Sequence, residues 1–424
     1  MSAVPACASA ETRPARKTLL SVNNYYYRRG GAEVAFLDHN RLLCEQGWRV
    51  VPFCMKHARN LPTPWASFFT EEIELGSPEP FRDRLRKSLK AVYSTEARDN
   101  LNRVLDLVAP DICHAHNVYH HLSPAVLGAI RARGIPLVMT LHDLKLACPA
   151  YSMLTHDGVC ERCRGGRYYQ ALVHRCMKGS VALSAWVMLE SYVHRVLGSY
   201  EGNVDRFVVP SRFFLRKFRE WGFPPEQFTY VPNFVDTKTL RPQLAPGARF
   251  VYLGRLSAEK GLRTLLAAVA RAGVAIDLIG AGPLRDELEA FAVKLGADAR
   301  FRGFLSGDTL RSAVRGARAL VLPSECYENA PLSVIEAAAL GKPAIVSSLG
   351  GLPELVAEGE TGWTFTAGSV SELAERLCHV RDLPDARLAA FGARARDLAA
   401  LRFSPQRYTE AMAGVYAGLG VDWR

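Results

Sequence analysis

The sequence predicts an α/β chain built as two doubly wound domains, each on a parallel sheet, facing a central cleft. Three observations carry this. Short apolar runs bounded by turn residues alternate with segments of helical period; the alternation occurs twice; and a proline-bearing stretch separates the two rounds.

In the first round, TLLSVN (18–23), RVVPFC (49–54), DICHAH (111–116), PLVMTLHD (136–143) and RFVVPS (206–211) are almost continuously apolar. Parallel strands covered by helices on both faces have that character. Between them lie helix-like pieces such as EVAFLDHNRLLCEQG (33–47) and SPAVLGAIRARG (123–134). The second opens on Ser-Pro and closes on Gly, a start and a stop signal. VPNFVDTKTLRPQLAPG (231–247) carries three prolines and reads as the linker. The second round has strands at RFVYLGR (249–255), AIDLIGAG (275–282), ARFRGF (299–304), ALVLPS (319–324) and PAIVSS (343–348). Its helices include LRTLLAAVARAG (262–273) and NAPLSVIEAAALG (329–341), and residues 384–424 return to helical periodicity. The expected division is a disordered leader at 1–17, domains at 18–230 and 249–400 joined by the linker 231–248, and a C-terminal helix at 401–424.

Composition agrees. A chain of 424 residues exceeds one ordinary domain, and 49% hydrophobic with 22% charged residues excludes disorder as the default. No stretch approaches the ~20 apolar residues of a spanning helix; the nearest, Val181 to Leu189, stops at Glu190. The first residues lack the apolar core of a signal peptide, so the expectation is a cytoplasmic protein with reduced thiols. Net charge is 53 − 42 = +11, with +9 in residues 1–230 (30 Lys and Arg against 21 Asp and Glu). A basic half suits an anionic partner such as lipid headgroups, phosphates or nucleic acid, or is simply a well-solvated surface.

In open parallel sheets, ligands bind beyond the carboxyl ends of the strands, so the residues following each strand matter most. After the first strand comes NNYYYRRGGAEV, where Gly30 and Gly31 let backbone N–H groups approach an anion at a helix N-terminus; the alternative is a tight turn. LGRLSAEKG places Arg255 and Lys260 where the chain leaves the sheet, a planar fork and a point charge suited to a diphosphate, or two solvated cations. Gly280-Ala281-Gly282-Pro283 begins like a dinucleotide fingerprint but lacks its third glycine; it fits a glycine-lined turn under a nucleotide. SECYENAPLSVIEAAALGKPAIVSS is the most informative stretch. Asn329 reads as N-cap and Pro331 as first helical residue, with Glu328 in the loop and Glu336 in the second turn. Backbone N–H groups near Ala330 and Leu332 then face the cleft beside Glu328.

Here the sequence resembles the retaining glycosyltransferases of the GT-B fold, family 4. The resemblance rests on E-x7-E, Glu328 to Glu336, inside ENAPLSVIEAAALGKPAIVSS. It also rests on the early Gly-Gly loop, VPS, VPNFVD, LGR…KG, GxGP and GLPELVAEGETGW between about residues 18 and 380. It implies two Rossmann-like domains, with the C-terminal helix returning to the N-terminal, acceptor-binding one. It implies that Arg255 and Lys260 bind the donor diphosphate, with Gly30, Gly31 and Gly282 lining the donor site. Asn329, Ala330 and Leu332 present backbone to the donor, Glu336 holds the nucleotide ribose and Glu328 contacts the donor sugar. His142 matches the family histidine at the sugar, and His116 in HAHN is a weaker second. The implied reaction moves a sugar from a UDP- or GDP-sugar to a polysaccharide or polyprenyl-diphosphate-linked glycan. Fixed cations replace a divalent metal, and no cofactor is required for catalysis. An anionic membrane surface is the expected location of such an acceptor, and nucleic acid is not an expected partner.

Cys148, Cys160, Cys163 and Cys176 stand at C-x11-C-x2-C-x12-C, in an insert spanning 148–176. A structural zinc, free thiols and disulfides are the three readings of that spacing. Two other functions compete: a basic zinc-containing nucleic-acid-binding protein, and a nucleotide-sugar epimerase or phosphorylase on the same fold.

Overall fold

The computed structural model describes residues 16–72 and 88–423; the expected disordered leader falls mostly outside them. The first domain holds β1 (Thr18–Val22), β2 (Arg49–Phe53), β3 (Ile112–Ala115), β4 (Leu137–Thr140), a small hairpin of β5 (Leu154–Thr155) and β6 (Gly158–Val159), β7 (Arg206–Val209) and β8 (Phe228–Tyr230). The second holds β9 (Phe250–Leu253), β10 (Ala275–Ile279), β11 (Asp298–Gly303), β12 (Leu320–Leu322), β13 (Ala344–Ser347) and β14 (Gly362–Phe365). Two six-stranded sheets result, β2-β1-β3-β4-β7-β8 and β11-β10-β9-β12-β13-β14, and every pair in them is parallel. The strand order reverses between β1 and β3 in one sheet and between β9 and β12 in the other. Those crevices are where such sheets bind ligands.

All ten expected strands form. Besides the hairpin strands β5 and β6, β8 and β14 are additional: they are short edge strands whose sequences, FTY and GWTF, carry too little periodicity to stand out. Each is made a strand by pairing with its inner neighbour, β7 or β13.

The end of the chain ties the domains together. The helix Asp385–Arg402 packs on the second core through Leu388, Phe391 and Ala399. The chain then crosses over: the Val235 N–H donates to the Phe403 carbonyl at 2.8 Å. The last helix is Pro405–Ala417, not a segment from 401; the Ser404 hydroxyl caps it and Pro405 sits in its first turn. It returns to the first domain, where Tyr408, Met412, Val415 and Tyr416 pack with Leu19, Leu43, Trp48 and Val208. The Trp48 indole donates to the Trp423 carbonyl, and the Lys17 ammonium to that of Asp422. Met412 is fully buried in this joint. Met412→Ala should cost about 2–4 kcal/mol through transfer and cavity terms, read as a lowered urea midpoint.

Candidate active site

The site grows from the loop that follows β12. The Glu328 carboxylate accepts from the Ser324 hydroxyl at 2.6 Å and from the Lys260 ammonium at 2.5 Å. Lys260 ends the short turn Ala258–Lys260 that follows β9, on the far side of the switch point. Burial alone would push its ammonium down, but Glu328 holds it above the ordinary lysine value. Gly261 makes the approach possible: its φ is +64°, and a Cβ there would lie 2.1 Å from the Pro323 carbonyl oxygen. Gly282 has a packing reason of the same kind, since a Cβ would meet the Leu256 carbonyl oxygen at 2.2 Å. Arg255 is exposed and faces the first domain, where its charge acts on the Tyr151 phenol.

The same loop is fastened to the first domain and to the linker that leaves it. The Asn329 amide donates to the Leu141 carbonyl at 3.0 Å, and the Asn233 amide donates to the Ala330 carbonyl at 2.8 Å. Asn329 is therefore an interdomain tie and not the expected N-cap. Pro331 takes the cap position, with extended backbone, and the helix is Leu332–Ala339. From behind, the Gly351 N–H donates to the Glu328 carbonyl at 2.7 Å, so closely that a Cβ on Gly351 would overlap the Asn329 carbonyl oxygen.

Glu336, in the second turn of that helix, faces the first domain. Burial and the Asp38 carboxylate push its pKa up to about 7, against the pull of Arg28 and Arg311. Arg28 and Asp38 are themselves paired at 2.6 Å. Asp38, His116, Thr140, Asn233 and Leu332 line one cavity between the lobes. Gly30 is the extended N-cap of the helix Gly31–Glu45, and neither glycine has a positive φ, so the pair opens a helix and makes no left-handed turn.

His142 follows β4 next to Leu141, so the Asn329 tie brings it to the Glu328 loop. Its Nε2 is 2.9 Å from Nδ1 of His116, and the two rings stack with centroids 5.2 Å apart. Burial pushes His142 down to about 4 and His116 well below the usual imidazole value, so both are neutral at pH 7. His114 stacks on His116 and hydrogen-bonds the Tyr416 hydroxyl at 2.8 Å, and His39 meets Tyr408 and Tyr416. The returning C-terminal helix therefore supports the row of rings that ends at His142.

Two family models match the chain: one described as Glycosyl transferases group 1 over residues 247–382, and one as Glycosyltransferase Family 4 over residues 29–239. The chain belongs to glycosyltransferase family 4. Glycogen synthase of Mycobacterium tuberculosis is 29% identical over 292 residues, covering 65% of this chain and 61% of that enzyme. The sulfoquinovosyl transferase of Arabidopsis thaliana is 31% identical over 169 residues, 38% of this chain and 32% of that protein. The chain thus matches less than two thirds of the length of these relatives. Among solved structures, sucrose-phosphate synthase from Thermosynechococcus elongatus superposes with TM-score 0.72 at 20% identity, covering 96% of this chain and 99% of that one. Anabaena HepE in complex with UDP and glucose gives 0.67 at 17% identity, covering 95% and 100%. The fold is GT-B.

Within this family member the cysteine insert does not fit the expected zinc. Cys148, Cys160, Cys163 and Cys176 line one small cavity beside Met153 and Trp221, and all four are free thiols. Among the described residues, however, no group of three or more His, Cys, Asp or Glu side chains is placed to hold a metal ion. Burial pushes the Cys148 thiol up to about 11 and, with the neighbouring sulfurs, Cys163 up to about 12, which keeps them protonated.

Sequence reasoning missed several residues of the site. Asp143, raised by burial to about 6, adjoins His142. Ser324 and the Gly350-Gly351 pair hold Glu328, and Arg28 and Asp38 face Glu336. The Gly-Gly and His-Asp dipeptides were available signals; Ser324 and Asp38 carried none.

The raised carboxyl of Glu336 has a pH signature. The folded chain binds this proton more tightly than the unfolded chain does. Its stabilisation is complete below the ordinary carboxylate range and is lost as pH rises through about 7. Glu336→Gln, which cannot ionise, should gain stability relative to the parent between about pH 5 and about pH 8, measured as the difference in melting temperature across that range.

Proposed function

We propose that the chain is a retaining hexosyltransferase that moves a sugar from a UDP- or GDP-sugar to a glycan acceptor without a catalytic metal. The observation that carries this is the meeting of Lys260 and Glu328 in a loop bonded to the residue beside His142. A cation, a carboxylate and a neutral imidazole thereby converge where the two domains face.

The chemistry follows from charge. As the bond from the anomeric carbon to the diphosphate breaks, negative charge develops on the leaving oxygens and positive charge on the sugar. Arg255, Lys260 and the first N–H groups of the helix at Leu332 meet the former, with Lys260 already held in place by Glu328. These groups fill the place a divalent ion takes elsewhere. Glu336 accepts from the ribose hydroxyls, Gly30 and Gly31 leave room for the donor, and Gly282 lets the turn beneath it pack on the Leu256 main chain. Glu328 and His142 orient the sugar. The acceptor hydroxyl attacks on the face from which the diphosphate leaves. Its proton passes to a donor phosphate oxygen, so Glu328 need not act as a nucleophile. HepE, with UDP and glucose bound on the same fold, supports the donor class. A lipopolysaccharide N-acetylglucosaminetransferase of Salmonella typhimurium, 29% identical over 187 residues, supports a cell-surface glycan as acceptor. The basic first domain suits an acceptor linked to polyprenyl diphosphate, met by a cytoplasmic enzyme at an anionic membrane face.

A nucleotide panel tests the donor. UDP or GDP at about 100 times its dissociation constant should add about 2.7 kcal/mol of apparent stability, seen as a raised melting temperature. No response to either would overturn the reading.

Two variants test the roles. Lys260→Ala should weaken nucleotide binding by about tenfold or more, the loss of one charge-assisted contact. Glu328→Gln should keep that binding and lower turnover by about a hundredfold. Calorimetry and single-turnover sugar transfer separate the two, and full activity in both variants would remove the assignment.

A further inference from the structure

The helix Val181–Val196 is built inside out. Its buried face carries three polar residues, Ser184, Glu190 and His194, beside a single valine, Val187. Its outer face carries Val181, Leu189, Val193 and Val196, and Leu189 and Val196 are 57% and 83% exposed. These four lie within about one third of the helix circumference at 100° per residue. Leu197 follows at the C-terminal end of the helix, and Val173, on the short helix Tyr169–Val173, is likewise more than half exposed. A helix that hides a carboxylate and shows solvent its branched aliphatics exposes a patch of the kind that meets an apolar partner.

The buried side explains why the helix holds this orientation. The Glu190 carboxylate accepts from the Lys145 ammonium at 2.7 Å and sits 3.0 Å from Nδ1 of His120. Removing Lys145 would leave the buried Glu190 carboxylate without its cation, which is strongly unfavourable. Lys145 belongs to the segment that follows His142, so the helix is fixed rigidly to the acceptor side of the site.

The surroundings indicate what the strip meets. Residues 162–198 contain six cations, Arg162, Arg164, Arg167, Arg175, Lys178 and Arg195, and all six are exposed. The single acidic residue in that span is Glu190, which is buried. An apolar strip in a segment whose exposed charges are all cationic matches the boundary between anionic headgroups and acyl chains. A symmetric pairing with a second copy would set these cations against themselves. No described helix is long and apolar enough to cross a membrane, so the helix would lie on the surface.

We propose that the outer face of Val181–Val196, with the exposed arginines and lysine of that segment, docks the protein onto an anionic lipid surface and so presents the first domain to a membrane-held acceptor. The purpose rests on the transfer reading above; the docking itself does not. Sedimentation of the whole protein with phosphatidylcholine vesicles, or with phosphatidylcholine mixed with phosphatidylglycerol, tests it. Binding is expected to the mixed vesicles only, and to weaken with salt. Leu189→Asp with Val196→Asp should lower it by about tenfold or more, with melting temperature unchanged because both side chains point outward. Arg175→Asn with Lys178→Asn, chosen because asparagine tolerates the positive φ at both sites, should lower it by about tenfold. Equal sedimentation with both vesicle types, or undiminished binding of the first variant, would overturn the proposal. So would light scattering that shows a dimer split by Leu189→Asp with Val196→Asp, which would make a second copy the occupant. If nucleotides fail to stabilise the protein while vesicles still bind it, the transfer reading falls and the docking surface stands.

Discussion

The whole arrangement depends on one loop, residues 323–331, being held from three sides. Lys260 and Ser324 converge on the Glu328 carboxylate, Gly351 donates to the main chain behind it, Asn329 is bonded to the first domain and Ala330 to the linker. A carboxylate beside a partly buried ammonium is stable only if both find partners. Here the partners come from two strand ends of one sheet. The hydrogen bonds to Leu141 and Asn233 then carry that position across to the other sheet and to the linker, and the cleft acquires a fixed geometry.

The second constraint is the return of the chain. A crossing at Phe403 and a capped helix from Pro405 bury Met412 and Tyr416 against the first sheet. This does more than join domains. Tyr416 and Tyr408 hydrogen-bond His39 and His114, and the stacked rings continue through His116 to His142. Buried imidazoles are costly unless neutral and paired, and the row satisfies both conditions except at Nε2 of His116, which is unpartnered and lies in the residue lining the interdomain cavity. The final helix thus reaches the site through side chains far apart in sequence.

The cysteine insert has a role besides packing. Glu161, between Cys160 and Cys163, accepts from the Tyr327 hydroxyl at 2.8 Å and pairs with Lys217 at 2.7 Å. Tyr327 precedes Glu328, so the insert touches the Glu328 loop directly. Its thiols line a cavity, and Glu161 forms the contact with Tyr327.

The sequence alone determined the alternation of strands and helices, the strand ends that Arg255, Lys260, Glu328 and His142 follow, and the helix that carries Glu336. Those follow from local periodicity and turn chemistry, which a linear reading captures. Tertiary structure decided that Asn329 ties domains together where capping was expected. It decided that Gly282 and Gly351 are glycine because another backbone passes too near for a Cβ, and that four well-spaced cysteines surround no metal position. It also decided that the helix at Val181 turns its charge inward. Each of these depends on which atoms from distant parts of the chain arrive at van der Waals range, a quantity that spacing along one strand or helix does not contain.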